Sequence, residues 1–337
     1  MTSETAFLIN KTDGKGKVRR LSQKRNKKSY NGAARSVGGI IGIMITVLVS
    51  ILILYFVGGS FDFSGGFSFS FFYPGDDPYT SDISAEECSV HIIDVGQGDS
   101  ILLSVGSGEY ILIDAGPVSS RGVLCEYLSA VGVDKINWLV LTHPHDDHIG
   151  GAAEVIKKFK VDNILMPALT ADSSVFAALL DAAERGGCSV QTVSSGYTFS
   201  AGKLKCTVLS PVRNEYEDEN NWSIVMKANY GMISMLFTGD AQEQAESDII
   251  RKFGSGILKS DLLKVGHHGS PDSSSEQFIK AVSPTFAVIS CGENNTYGHP
   301  DITVVERLSE AGAQIYRTDE EGGIIFVSDG EKMWRKK

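Results

Sequence analysis

Residues 141–151 read LTHPHDDHIGG. His143, His145 and His148 stand with Asp146 and Asp147 inside six positions, a density that packing alone does not explain. The preceding run Trp138–Thr142 (WLVLT) is continuously apolar, the pattern of a strand buried on both faces. Residues 149–159 carry helical periodicity, so the cluster falls in a tight turn between a strand and a helix. In an extended chain residues i and i+2 share a face, which sends His143 and His145 toward one point. Asp147 and His148, at the helix start, aim at a second point nearby. Imidazole and carboxylate are ligands for zinc-like ions.

Two further clusters supply what four ligands cannot. Gly239-Asp240 ends an apolar run, Leu236–Ala241 (LFTGDA), and His267-His268 ends another, Leu262–His268 (LLKVGHH). A carboxylate lying between two ions bridges them, as two-metal hydrolases require, and Asp240 is the candidate. The two halves echo each other. Leu112–Gly116 (LIDAG) matches LFTGDA, and the strand that runs into His143 matches the strand that runs into His267.

Strands are expected over 89–95, 101–105, 110–114, 163–166, 205–209, 223–228, 233–238, 262–265, 286–290 and 324–327. Helices are expected over 121–130, 173–185, 243–253, 274–282 and 303–311. The 173–185 helix should bury Val175, Leu179, Leu180 and Ala183. Asp94–Ser100 (DVGQGDS) could pass for a phosphate loop, but no helix follows; it reads as a tight hairpin with Asp99 near the site. A duplicated β-rich half with flanking helices predicts an α/β (α+β) chain of four αββα layers, two sheets face to face.

The charge is asymmetric. Residues 1–36 hold ten Lys or Arg and two acids, and residues 37–337 hold 21 bases and 39 acids. An acidic body repels polyanions at long range, so simple electrostatic capture of nucleic acid is not supported. The five cysteines form no CxxC or Cys/His cluster, which argues against a zinc finger and for small buried residues.

Between Arg35 and Asp62 there is no charge, and residues 38–57 read GGIIGIMITVLVSILILYFV. Twenty residues at about 1.5 Å each match a bilayer core of about 30 Å. A cleaved signal peptide fits this run less well, because no A-x-A site follows. The organisation expected is a basic cytoplasmic tail (1–36), one transmembrane helix (37–58), a Gly/Ser/Phe-rich linker (59–86) and a folded domain (87–331) that carries the His/Asp clusters. The positive-inside rule places the catalytic body outside the cell membrane and the N terminus in the cytoplasm.

The clusters resemble the metallo-β-lactamase superfamily, whose signature is HxHxDH. Within it the chain is similar to the C-terminal hydrolase domain of the competence protein ComEC and its free-standing relatives. The resemblance rests on DVGQGDS (94–100), LIDAG, LTHPHDDHIGG, NNWSIVM (220–226), LFTGDA, LLKVGHHGS (262–270) and NTYGHP (295–300), in order across residues 88–330. It implies a metallo-β-lactamase-like sandwich with two divalent metal ions, Zn2+ or Mn2+. His143 and His145 would hold one ion, Asp147 and His148 the other. Asp240 would bridge, and His268 would complete the second site with His267 facing substrate. The superfamily often has another histidine ligand before the bridging aspartate. This sequence has none between His148 and His267, and its NNxS motif (Asn221, Ser223) is the candidate replacement. ComEC itself has many membrane spans; with one expected here, the chain is not itself a translocation pore.

The implied reaction is hydrolysis by a metal-bound hydroxide oriented by Asp147. His267 or His299 would serve the leaving oxygen, and Asp114 would support a histidine ligand from behind. A phosphodiesterase or nuclease is the first reading, acting on a small-molecule or nucleic-acid phosphodiester, with DNA a possible partner and no obligate protein partner legible. Alternatives are hydrolysis of a phosphocholine ester, lactone or lactam, or an accessory role in DNA uptake.

Overall fold

The computed structural model describes residues 61–63, 67–69, 84, 86–106 and 108–336. The basic tail over 1–36, the span expected over 37–58 and most of the 59–86 linker lie outside them. Within that linker two short strands, β1 (Phe61–Phe63) and β2 (Phe67–Phe69), pair antiparallel with Phe61 opposite Phe69. Phe alternates there with Asp62 and Ser68, a period of two that suits a strand.

The membrane placement expected from the N-terminal charge is corrected. Among the described residues no helix is long and apolar enough to cross a membrane. The longest, Ser174–Gly186, has 13 residues, about 20 Å at about 1.5 Å per residue, against roughly 30 Å of hydrocarbon. The transmembrane part of the expected architecture, the single-pass topology and the extracytoplasmic body have no support in the structure and are withdrawn.

From Cys88 onward the chain builds two mixed sheets. The first takes β3 (Cys88–Ile92), β4 (Ile101–Val105), β5 (Glu109–Ile113), β6 (Lys135–Val140), β7 (Lys160–Met166) and β8 (Ser189–Thr192) in sequence order. β3 to β5 are antiparallel and β5 to β8 parallel. The second sheet takes β9 (Thr198–Ala201), β10 (Leu204–Ser210), β11 (Val225–Tyr230), β12 (Ile233–Phe237), β13 (Leu262–Lys264), β14 (Phe286–Ile289) and β15 (Gln314–Arg317). It too is antiparallel as far as β12 and parallel beyond. The last strands, β16 (Ile324–Ser328) and β17 (Met333–Arg335), return to the first sheet beside β3.

Strand periodicity sorts the side chains into layers. Ile101, Leu103, Ile111 and Ile113 join Met235, Phe237 and Phe326 in the core between the sheets. Leu102 and Leu112 face the other way, onto α1 (Arg121–Ala130), α3 (Ala152–Lys158) and α4 (Ser174–Gly186), through Leu124, Leu128, Val155 and Leu179. Leu236 and Leu263 likewise meet Ile249, Phe278 and Leu308 of α5 (Glu243–Phe253), α6 (Glu276–Val282) and α7 (Ile302–Glu310). Each such side chain, fully buried, is worth about 2 kcal/mol of transfer.

Three local expectations shift. The helix expected over 149–159 is two pieces, α2 (Asp146–Ile149) and α3, split at Gly150-Gly151. A Cβ on Gly151 would lie 2.3 Å from the Ala115 carbonyl, so the chain turns where only glycine fits. α4 buries Phe176, Leu179, Ala182 and Ala183, while Leu180 is 42% exposed. β6 starts earlier than expected, and its Lys135, Asn137 and Trp138 are only partly covered.

Candidate metal centre

The candidate ligands, and Asp114 behind them, follow the C-terminal ends of strands. β5 delivers Asp114, β6 delivers Thr142 to His148, β12 delivers Asp240, and β13 delivers His267 and His268. Both sheets run parallel in this region, so the strand ends gather on one edge, where open α/β sheets bind ligands. Three of the residues hold strained backbones: Asp114 (φ 56°), His267 (φ 50°) and His268 (φ 54°). Left-handed conformations of non-glycine residues cost of order 1 kcal/mol or more each and cluster at functional sites. Gly239 (φ 51°) lets this turn press on Thr142, which a Cβ would meet at 2.8 Å.

The Asp240 carboxylate is the hub. It is buried, and its Oδ2 lies 3.2 Å from His148 Nε2, 3.5 Å from His268 Nε2, 3.6 Å from His267 Nε2 and 3.9 Å from His143 Nε2. Asp147 joins from the α2 turn, with Oδ2 3.4 Å from His268 Nε2 and 3.9 Å from His148 Nε2. Ligand atoms of Asp147, His148, Asp240 and His268 all lie within 4.8 Å of one another. His267 stands outside that group and is partly exposed.

The first pair is arranged separately. His143 Nε2 and His145 Nδ1 face each other at 2.9 Å. The outer nitrogen of each ring has its own acceptor. His143 Nδ1 lies 3.1 Å from Thr142 Oγ1 and 3.3 Å from Ser223 Oγ, and His145 Nε2 lies 3.2 Å from a carboxylate oxygen of Glu219. With protons on those outer nitrogens, both facing atoms would be lone pairs open to a cation.

A carboxylate also stands behind His148. Asp114 Oδ2 is 2.8 Å from His148 Nδ1, and the same carboxylate accepts from Thr142 N (2.8 Å) and Thr142 Oγ1 (2.7 Å). Behind His268, the Ser290 carbonyl lies 2.9 Å from Nδ1. Such outer contacts turn a ring so that its Nε2 faces the centre.

Charges follow this geometry. Burial would pull the His148 imidazole down, but Asp240 and Asp114 hold it well above the ordinary value. Burial opposes protonation of His268 too, and is outweighed by the carboxylates of Asp240 and Asp147 close to its Nε2. Burial would raise Asp147 and Asp240, yet His268 and His148 keep Asp147 low, and His148 and His268 keep Asp240 well below the carboxylate range. Burial lowers His143, His267 and His299. Asp114 is raised, by burial.

The donor set fits a divalent cation. His148 Nε2, His268 Nε2 and Asp240 Oδ1 are buried and make no hydrogen bond. Leaving such atoms unpaired costs about 1–3 kcal/mol each, and two imidazole nitrogens beside a carboxylate with an unused oxygen are what a cation would satisfy. His299 sits at the rim, its ring centroid 5.7 Å from that of His267 and stacked 5.8 Å from the exposed Tyr297.

NNxS supplies no direct donor. Asn221 Oδ1 accepts from Gln242 N (3.3 Å) and Ala245 N (3.1 Å), and its Nδ2 donates to Gln242 Oε1 (3.0 Å). It therefore caps the start of α5. Ser223 Oγ accepts from Asp240 N at 3.1 Å as well as facing His143. Glu219 and Thr142 are not legible as site residues in the sequence. Glu219 carries no signal, being one of several acids in a polar loop, whereas Thr142 directly precedes His143.

The comparisons agree with this geometry. Residues 93–194 match the model of the metallo-β-lactamase superfamily. ComE operon protein 3 of Bacillus subtilis is 33% identical over 259 residues, covering 72% of this chain and 33% of that protein. Competence protein ComA of Neisseria gonorrhoeae is 32% identical over 247 residues, again 72% of this chain and 33% of the relative. The chain thus spans about a third of the length of the curated relatives it matches. The crystal structure of the metallo-β-lactamase fold protein YhfI from Bacillus subtilis superposes with a TM-score of 0.51 at 12% identity, over 72% of this chain and 100% of that one, which speaks for the fold. With two sheets of this topology and a His/Asp centre at their shared edge, the chain belongs to the metallo-β-lactamase superfamily of metal-dependent hydrolases and is similar to the hydrolase domain of the ComEC competence proteins.

Proposed function

We propose that the chain is a phosphodiesterase acting on nucleic acid. The observation that carries the reading is the hub at Asp240, where buried donors from both halves face one point beside a partly exposed rim of His267 and His299. Relatives named for competence and for recombination support a nucleic-acid substrate. So does a 111-residue stretch 31% identical to ribonuclease J of Synechocystis.

Two divalent ions fit the donors. Asp147, His148 and His268 would hold one, His143 and His145 the other, and Asp240 would be shared. Imidazole and carboxylate without thiolate suit zinc, with manganese the alternative. When bound, such ions supply Lewis acidity and activate water. The chain's own groups do the rest. Asp147, on the α2 turn, would orient the attacking water. His267 and His299, neighbours at the rim, would hold the leaving oxygen by hydrogen bonds. Asp114, Thr142 and Ser223 keep the histidines turned inward.

A second reading has its own support. The loop beside His145 exposes Glu215, Glu217, Asp218 and Glu219, an acidic lip that opposes a long duplex. That favours a small ester, such as a phosphocholine ester or a lactone. The test is to load the full chain with zinc or manganese and assay linear and single-stranded DNA, bis-p-nitrophenyl phosphate and nitrocefin. Cleavage of DNA and of the phosphodiester supports the proposal. Cleavage of nitrocefin, or of the small phosphodiester alone, with DNA left intact overturns it.

A further inference from the structure

Asp99 of DVGQGDS and Lys264 of LLKVGHH form an ion pair behind the metal centre. Both are buried, each 1% exposed, and Lys264 Nζ lies 2.8 Å from Asp99 Oδ2. Lys264 also donates to the Val265 carbonyl at 2.8 Å. Burying such a pair is costly, and apolar side chains of the same size commonly serve stability as well or better. The pair's position indicates another use.

Asp99 belongs to the first sheet's β3–β4 hairpin and Lys264 to the second sheet, so the pair crosses between the halves that carry the candidate ligands. Its other carboxylate oxygen, Oδ1, has no hydrogen bond and lies 3.4 Å from His268 Nδ1. That nitrogen faces the Ser290 carbonyl at 2.9 Å, and Ser290 Oγ donates to the Gly98 carbonyl at 2.7 Å. On its other side the same hairpin touches the first-half ligands, because Asp99 N donates to the Asp147 carbonyl at 3.2 Å. Gly98 permits this approach: a Cβ there would lie 2.3 Å from that carbonyl.

We infer that the Lys264–Asp99 pair is a positioning device that keeps the Nδ1 proton on His268 and sets the spacing between the Asp147 and His268 sides of the centre. The Ser290 carbonyl accepts the Nδ1 proton and the nearby charge of Asp99 Oδ1 favours it there, so Nε2 is the lone pair that faces Asp147 and Asp240. Lys264 balances the charge of Asp99, so that the carboxylate stays behind the ring instead of turning into the centre. The inference rests on reading His268 as a ligand.

The experiment uses the full chain with zinc and a competing chromophoric chelator. Lys264→Met together with Asp99→Asn removes both charges at nearly constant volume. The expected result is a chelator-treated protein that melts close to the wild type but binds one of its two ions 10–100-fold more weakly, the usual effect of losing a contact behind a ligand. In zinc-loaded wild-type protein, nitrogen-15 spectra should show His268 with its proton on Nδ1. Equal zinc affinity in the double variant overturns the inference, as does a His268 proton on Nε2; the second measurement stands even where the double variant does not fold. A wild type that binds no zinc would instead sink the metal reading itself.

Discussion

Asp240→Asn removes one charge and almost no volume from the hub of the site. The carboxylate Oδ2 is 3.2–3.9 Å from four imidazole nitrogens, so a cation held by any of them is at similar range. Unit charges about 4 Å apart at an effective dielectric constant near 20 interact by about 4 kcal/mol. At about 1.4 kcal/mol per tenfold, losing that attraction weakens binding of at least one ion by roughly a thousandfold. The backbone should survive, since Asp240 N still donates to Ser223 Oγ. The assay is metal content after dialysis against chelator-buffered zinc, with circular dichroism as the control for folding. Loss of at least one ion with an unchanged spectrum is expected. A folded variant that keeps both ions within tenfold of wild-type affinity would refute Asp240 as the shared ligand.

Asp114→Ala frees the His148 ring from its 2.8 Å contact; zinc affinity by chelator competition should fall about 10–100-fold, and an unchanged affinity would remove Asp114 from the site. Asn221→Ala strips the cap from α5, so urea unfolding of chelator-treated protein should show about 1–2 kcal/mol lost; no loss would mean that the cap carries no energy. Glu246 is buried and accepts from Ser274 N and Ser275 N, yet burial pushes its carboxyl up from 4.5 to about 7. A raised acid favours the folded state below its unfolded value and loses that advantage as pH climbs. Relative to Glu246→Gln, the wild type should therefore lose about 3 kcal/mol between pH 4.5 and 7, at about 1.4 kcal/mol per tenfold in proton affinity. A constant difference between the two unfolding curves across that range would contradict it.

The chain is most legible where neighbours in sequence are neighbours in space. LTHPHDDHIGG is one turn, and its metal-ligating character is visible in six consecutive residues. The alternation in Ile101–Val105 and Ile111–Ile113 shows the sheet faces directly. Short polar strands leave no such trace: β8 (SVQT) and β15 (QIYR) have four residues each and no apolar run. Leu180 lies outside the buried stripe because Phe176 and Ala182 fill it, and only packing against the first sheet decides which arc of α4 turns inward. Glu219 and His145 meet only after the second half folds over the first, and so do Lys264 and Asp99.

What the fold adds is the charge balance at the shared edge. Asp99, Asp114 and Asp240 are buried there, with Asp147 partly so. Lys264 answers Asp99, and His148 answers Asp114. His148 and His268 face Asp240 as well, but a single imidazolium cannot satisfy two carboxylates fully in surroundings of low dielectric. His268 offsets only one of Asp147 and Asp240, so one carboxylate charge is left in surplus, beside His148 Nε2 and His268 Nε2, which make no hydrogen bond. Apolar packing cannot relieve that surplus, and water dissipates it poorly in so enclosed a place. A divalent cation relieves it and satisfies the idle nitrogens at once. The strained backbones follow from the same demand: those at His267 and His268 aim rings at Asp240, and that at Asp114 sets its carboxylate behind the His148 ring.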